Sequence, residues 1–344
     1  MAASRARGKG GALPEEGRSE DAAPQPFDRA TVLGAGTMGA QIALSLALGG
    51  VPVTLWARRE ASLTEAMERA ATAFDFLAEA DLADADSHDA VLGRIVPEPD
   101  LQAAVSGEGR AFVIEAVAED LDVKRDLLAR AEAHVGRDDV LSSTTSALSA
   151  TALHKHLSDP SRFVVAHYAQ PAHLVALVEV VPGARTAEAA VDDVMALLEA
   201  TGKTPVRCPD IPGFLWARIQ HAVLREFATL VGKGLVTPEA CDTILKEGYA
   251  ARLPAMGAFE HADLAGLDLM NGAAARAVWA DLSTSSDPAD TPVGELYAQG
   301  HVGMRTGRGF YDWTARDPEA FKAARDEEIV RRVKIRAGGD VVLG

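Results

Sequence analysis

The sequence predicts an α/β protein: a doubly wound, mainly parallel sheet followed by an all-helical C-terminal domain. Three observations carry that expectation. Short apolar, β-branched runs alternate with amphipathic helical stretches as far as residue 207. A glycine-rich turn stands between the first of these runs and the first helical stretch. The alternation then stops at a proline and glycine cluster, beyond which no convincing strand is found.

The β-type runs are 31–33, 53–56, 112–117, 140–143, 163–166, 175–181 and a short one at 205–207. Helical patterns fill 38–48, 62–79, 123–134 and 186–200 between them. Two prolines and a glycine within Cys208-Pro209-Asp210-Ile211-Pro212-Gly213 mark a domain boundary. A long helix is expected at 214–231, with Gly232 and Gly234 able to stop it. Thr237-Pro238-Glu239 has the form of an N-cap with proline at the first helical position, opening another helix. Further helices are expected at 263–278 and 318–334. The expected organisation is a disordered tail at 1–26, a dinucleotide-binding domain at 27–209, a helical substrate and dimerisation domain at 210–334, and a short tail at 335–344. The active site is expected in the cleft between the two domains, as ligand sites in such sheets lie beyond the carboxyl ends of the strands.

Composition narrows the function. With 344 residues, 48% of them hydrophobic and 24% charged, the chain is globular and long enough for two domains. Its formal net charge is −16, which opposes general binding to nucleic acid or to an anionic membrane, and no basic cluster interleaved with aromatics offsets it. No apolar run approaches the roughly 20 residues of a membrane span, and the N-terminus lacks the apolar core of a secretory signal. Cys208 and Cys241 have no metal-like spacing, so both thiols are expected free, no metal is expected, and a cytoplasmic location fits.

Gly34-Ala35-Gly36-Thr37-Met38-Gly39 follows the first strand and leads directly into a helix. In that context each glycine has a physical role: Gly34 allows the tight turn, Gly36 lets a pyrophosphate approach the backbone, and Gly39 lets helix and strand pack closely. The N–H groups and dipole at Thr37 and Met38 then attract the phosphates, which makes the first domain Rossmann-type. Ala57 stands at the end of the second strand, where an acidic residue would bond the ribose 2′-hydroxyl of NAD, and Arg58 and Arg59 follow. A missing carboxylate and two arginines favour a 2′-phosphate, hence NADP(H) over NAD(H).

Three further segments carry the chemistry. They are Val113-Ile114-Glu115-Ala116-Val117-Ala118-Glu119 reaching on to Lys124; Ser142-Ser143-Thr144-Thr145-Ser146; and His167-Tyr168-Ala169-Gln170-Pro171 continuing to Leu177-Val178-Glu179-Val180-Val181-Pro182. With Pro212-Gly213-Phe214 and Gly307-Arg308-Gly309-Phe310-Tyr311-Asp312, the chain resembles the 3-hydroxyacyl-CoA dehydrogenases and relatives such as lambda-crystallin/L-gulonate 3-dehydrogenase. The resemblance implies an NAD(P)-dependent oxidoreductase with His167 as general acid/base, Glu179 as its partner and Ser146 bonded to the reacting oxygen. It also implies Glu119 and Lys124 near the nicotinamide ribose, and a homodimer formed through the helical domain. The chemistry makes the same demand independently: hydride transfer at an alcohol carbon needs a group to take the hydroxyl proton. An imidazole titrating near neutrality, its tautomer fixed by a carboxylate, does so. Glu179 lies in an apolar run, where a carboxylate is costly unless paired. Glu115 reads as structural, Ser149 as a helix cap, and His173 as a candidate pocket residue.

Two departures bear on the substrate. The family carries an asparagine in the first helix after Pro-Gly-Phe, just before an arginine; here Ala217 precedes Arg218. Loss of such a donor costs about 2–4 kcal/mol in a transition state unless another group replaces it. Gln170, standing where the family has an asparagine before the proline, is the candidate replacement. Residues 61–74 also contain no lysine, where CoA-using relatives place cations. A 3-hydroxyacyl or 3-ketoacyl substrate therefore stands beside two alternatives: a non-CoA hydroxy acid, aromatic aldehyde or β-ketone, and a dinucleotide-binding protein with weak catalysis.

Overall fold

The computed structural model describes residues 26–337, so the N-terminal tail expected at 1–26 lies outside the described residues except for Pro26. The chain forms two compact units. One runs to Ala217 and takes up the chain again from Arg325; the other is Arg218–Ala324.

The first unit is built on an eight-stranded sheet in the order β3-β2-β1-β4-β5-β6-β7-β8. The strands are β1 (Arg29–Leu33), β2 (Val53–Trp56), β3 (Ile95–Glu98), β4 (Ala111–Glu115), β5 (Val140–Ser143), β6 (Phe163–Tyr168), β7 (Leu177–Pro182) and β8 (Thr204–Arg207). Every neighbouring pair is parallel except β6 and β7. β4 is buried along its whole length, which explains why its apolar run does not alternate: a central parallel strand is covered on both faces. Helices α1 (Thr37–Leu48), α2 (Glu60–Glu79), α3 (His88–Leu92), α4 (Leu101–Val105), α5 (Leu121–Glu132), α6 (Ala150–Leu153) and α7 (Glu188–Ala200) connect the strands. α1 is buried on nearly every side, and its small residues permit this. α2 buries one stripe, Leu63, Ala66, Ala70, Phe74 and Leu77, at helical spacing. Ser149 caps α6 as expected, accepting from the Ala152 N–H at 3.2 Å.

β3 has no counterpart in the expected strands. Its Ile-Val-Pro-Glu sequence reads against a strand, but β3 is the sheet edge, where proline costs no ladder hydrogen bond. Helices α3, α4 and α6 are too short to show a period.

The second unit holds the rest of α8 (Trp216–Gly232), then α9 (Pro238–Thr243), a π-helical turn at Ile244–Tyr249, α10 (Ala250–Arg252), α11 (Ala258–Ala265), α12 (Leu267–Met270), α13 (Ala273–Asp281) and α14 (Pro292–Ala298). Thr237 caps α9 through the Ala240 N–H, with Pro238 at the first position, as read from the sequence. The continuous helix expected at 263–278 is three helices instead. Gly266, at φ 96°, breaks the first from the second, and Gly272 opens the third.

The last helix, α15 (Pro318–Ala337), is divided between the two compact units. From Arg325 onward it belongs to the first unit, where Ile329 and Val330 pack on the sheet's apolar core. Lys334 pairs with Asp81 at 3.1 Å and Arg336 donates to Thr204 at 2.9 Å. Residues 335–337, expected in a tail, are helical, and the first compact unit runs on past residue 209 to Ala217. Among the described residues no helix is long and apolar enough to cross a membrane.

Candidate active site

The glycine loop has the geometry of a phosphate cradle. Gly34 sits at φ 128°, and a Cβ there would lie 2.6 Å from the Ala116 carbonyl oxygen. A Cβ on Gly39 would lie 1.8 Å from the Gly34 carbonyl oxygen, so close packing of α1 on the turn forbids a side chain. Above Gly36 nothing stands within 4 Å of a Cβ position. Gly36 is the N-cap of α1 and offers no capping side chain, and the first turn of the helix holds no acidic residue. Gly36 and Thr37 are exposed, while Met38 packs partly against the core. Open backbone N–H groups with room above them fit a dinucleotide pyrophosphate. At the end of β2, Ala57 is buried, and Arg58 and Arg59 are both exposed.

β4 and α5 build the second group. Glu115 is fully buried at the end of β4, and its two carboxylate oxygens each accept from the Lys124 ammonium at 2.9 Å. Glu115 also accepts from the Ser143 hydroxyl and from the Val117 N–H at 3.1 Å. This is a buried ion pair whose remaining valences are satisfied, the condition under which burial is tolerable. Lys124, itself buried, reaches Glu119 at 3.3 Å. Glu119 is the exposed end of the chain of contacts: it accepts from the Thr145 hydroxyl, from the Ser146 N–H at 3.0 Å and from the Ser146 hydroxyl at 3.4 Å. Burial pushes the Glu119 carboxyl up, but the Thr145 hydrogen bond, the Lys124 charge and the Ser146 N–H outweigh it and hold the group below the usual carboxylate range. Ser146 is thus anchored by its backbone, leaving its hydroxyl only weakly engaged.

β6 and β7 build the third group. They pair antiparallel with His167 opposite Glu179, so both side chains leave the same face of the sheet. His167 Nδ1 lies 2.8 Å from Glu179 Oε2. The other carboxylate oxygen accepts the backbone N–H groups of Leu215 at 2.8 Å and Trp216 at 2.9 Å, where α8 begins. The Cys208 thiol donates to it from 3.5 Å. Burial raises the Glu179 carboxyl, yet the His167 contact and the two N–H groups overcome this and keep it below its ordinary value. Burial, and after it the same carboxylate, pushes the Cys208 thiol up to about 12, so it stays protonated.

The turn that aims those N–H groups is unusual. Gly213 and Phe214 have φ of 74° and 45°, and positive φ in a bulky residue is strained. Phe214 is buried, with its ring 5.9 Å from the His167 ring. The helix expected from residue 214 therefore starts at Trp216. Ala217 follows Trp216 in its first turn and offers no polar side chain.

Gln170 is exposed in the 169–176 loop between β6 and β7. His173, in the same loop, is grouped with Lys203 and Asp326, and its Nδ1 is buried without a hydrogen-bond partner. Burial, then the Lys203 charge, pushes it down to about 4, against a smaller opposing effect of Asp326. Lys203 is lowered by burial to about 8, and its ammonium donates to the carbonyls of Ala172 and, at 3.2 Å, Val175.

Sequence reasoning named Phe214 in a motif and Cys208 as a free thiol but missed their contacts with His167 and Glu179, and it missed the two N–H donors, since backbone groups carry no residue signature. It also missed Arg69, whose guanidinium donates to the Ala35 carbonyl of the glycine loop at 2.9 Å. Its helical position, three residues after buried Ala66 and beside buried Ala70, was the available signal.

Residues 29–211 match the model of the 3-hydroxyacyl-CoA dehydrogenase NAD-binding domain, and residues 213–313 match the 3-hydroxyacyl-CoA dehydrogenase C-terminal domain. The chain belongs to the 3-hydroxyacyl-CoA dehydrogenase family. The resemblance read from the motifs and the α/β-then-helical architecture are both borne out, and relatives in this family are NAD-dependent dehydrogenases acting on CH–OH groups. The chain is 31% identical to the 5-formyl-3-hydroxy-2-methylpyridine 4-carboxylate 5-dehydrogenase of Mesorhizobium japonicum, over 89% of this chain and 97% of that one. A crystal structure of a 5-dehydrogenase for that pyridine acid, described as an NAD+ dependent dismutase, matches at TM-score 0.82 and 30% identity, covering 91% of this chain and 99% of that one. The (S)-3-hydroxybutyryl-CoA dehydrogenase of Ralstonia eutropha matches at TM-score 0.69 and 29% identity, covering 83% and 99%.

Proposed function

We propose that this family member transfers a hydride between NAD(H) and a carbinol or carbonyl carbon, with His167 as the acid/base. The observation that carries the proposal is the 2.8 Å contact of His167 Nδ1 with Glu179. When bound, the dinucleotide supplies or accepts the hydride. Glu179, held ionised, accepts the hydrogen bond from Nδ1–H and so leaves the Nε2 lone pair of His167 for the substrate. In oxidation, Nε2 removes the hydroxyl proton as the C–H hydride leaves, and the imidazolium formed is stabilised by Glu179. In reduction, Nε2–H returns that proton to the new alkoxide. The Ser146 hydroxyl turns from Glu119 to the same substrate oxygen and donates to it. Lys124, buried behind it, holds Glu119, and Glu119 holds the loop carrying Ser146 and faces the nicotinamide ribose.

For the cofactor, the NAD-binding family model and the NAD+ dependence of the similar pyridine-acid enzyme support NAD(H). The NADP(H) preference read from Arg58 and Arg59 has no such support and is set aside.

A 3-hydroxyacyl or 3-ketoacyl substrate is the family's reading. A second reading, a smaller non-CoA substrate, is favoured by Ala217, by the lysine-free 61–74 segment, and by the likeness to the pyridine-acid dehydrogenase over nearly its whole length. We include a homodimer through the helical unit, supported by large apolar side chains left exposed there, Phe259 at 88% and Trp279 at 78% among them. A cytoplasmic setting, supported by the free thiols of Cys208 and Cys241, completes the reading.

The test is absorbance at the nicotinamide band with acetoacetyl-CoA and a panel of hydroxy acids, aromatic aldehydes and β-ketones. Turnover lost in the His167→Ala protein is the expected result. Intact dinucleotide binding with no turnover on any substrate would leave a binding protein in its place.

A further inference from the structure

We propose that Arg69 is a dinucleotide-binding residue that clamps the pyrophosphate from the side of α2, opposite the open end of α1. The inference rests on the dinucleotide reading of the glycine loop. It goes beyond that reading by adding a side-chain cation to a cradle otherwise made of backbone.

Arg69 lies well inside α2, yet its side chain crosses to the loop and donates from Nη2 to the Ala35 carbonyl at 2.9 Å. Ala35 is the residue between Gly34 and Gly36, so the guanidinium is tied to the segment over which the space is open. The side chain is 41% exposed. Its other partner is Glu65, at 3.6 Å from Nη1, an exposed pair one turn away along the same helix. Such a pair contributes little and is easily exchanged for a stronger anion. A guanidinium has five N–H donors in a rigid fork, and one carbonyl and one distant carboxylate leave most of that capacity for phosphate oxygens. The loop has need of it. The first turn of α1 offers N–H groups and a dipole but no basic side chain, and the chain's net charge of −16 works against a ligand carrying two phosphates. A fixed arginine beside the helix N-terminus supplies the local counter-charge.

A purely structural tie between α2 and the loop is the competing explanation, and ligands that differ in phosphate content separate the two. NADH is titrated by its fluorescence into the wild-type protein and into R69Q and R69K, and ADP and adenosine are measured by displacement of NADH. Thermal melts of each variant establish that it is folded. Loss of a charge-assisted contact predicts about tenfold weaker NADH and ADP binding in R69Q. R69K, which keeps the charge but not the fork, should fall between. Adenosine, lacking the pyrophosphate, should bind all three alike. Undiminished NADH binding in folded R69Q overturns the proposal, and so does a loss shared equally by adenosine. A wild-type protein that binds neither NADH nor ADP overturns the dinucleotide reading itself.

Discussion

His167 and Glu179 meet because they are register partners across β6 and β7, the one antiparallel pairing among the described strands. Twelve residues of chain separate them, but the reversal of direction brings both to one face at hydrogen-bonding distance. The acid and the imidazole are therefore set by backbone ladders on either side, with Phe214 against the ring and the start of α8 against the carboxylate. Little side-chain freedom is left to lose when substrate binds.

Replacing His167 by alanine should lower turnover about a hundredfold or more, the scale of a lost acid/base group. The affinity for NADH should hardly move, since the glycine loop lies at the end of β1 and not in this pair. Steady-state rates and NADH titration on the same preparation check both parts; a matching loss of NADH affinity would place His167 in the binding site instead.

Glu179→Gln tests the carboxylate separately. The buried Glu179 carboxyl is held below its ordinary value of 4.5. A depressed carboxyl stabilises the fold above the unfolded value and loses that contribution as pH falls through the folded one. Urea midpoints of the wild-type protein should therefore drop below about pH 4.5, and the glutamine variant should show a shallower drop. Equal slopes would mean that Glu179 is not ionised in the folded chain.

His173 gives a second acid-sensitive element. Its folded value of about 4 lies below the ordinary 6.5. The unfolded chain binds the extra proton between these values, so stability present above 6.5 declines as pH falls towards 4. His173→Gln should flatten melting temperature against pH across that window, with no change above it. A wild-type profile already flat there would contradict the burial of this ring.

The two later glycines of the loop should separate folding from binding. Gly36→Ala places a methyl in open space, so the protein should melt normally while NADH affinity falls. Gly39→Ala drives a methyl into the Gly34 carbonyl, so it should melt several degrees lower. Thermal melts paired with NADH titrations decide; a Gly36→Ala protein that binds NADH as well as wild type would remove the pyrophosphate from above Gly36.

Arg58 and Arg59 decide the cofactor. Neutral replacements should leave NADH binding within about twofold and should weaken NADPH no more than NADH, if neither reads a 2′-phosphate. A selective loss of NADPH affinity would restore the preference first inferred from the missing acid at Ala57.

Much of this site was legible before folding. Gly34, Gly36 and Gly39 each occupy the place their chemistry demands, and Glu179 in an apolar run had to find a partner. The strand order and the antiparallel turn were not legible, because periodicity reports faces and says nothing of neighbours. β3 was hidden by its proline, whose cost vanishes at an edge. Glu115 and Lys124 were seen as separate residues, whereas their common burial makes them one support for Glu119 and Ser146. Arg69 was overlooked because a search for lysines passes over an arginine whose target is a backbone carbonyl.

The return of the chain at Arg325 makes the dinucleotide-binding unit discontinuous. Its apolar core is begun by strands near the N-terminus and completed by Ile329 and Val330, some three hundred residues later. During synthesis, the sheet must wait with that patch bare until α15 has left the ribosome. A fragment cut at the helical unit would thus inherit the cofactor loop without the last piece of its own hydrophobic closure.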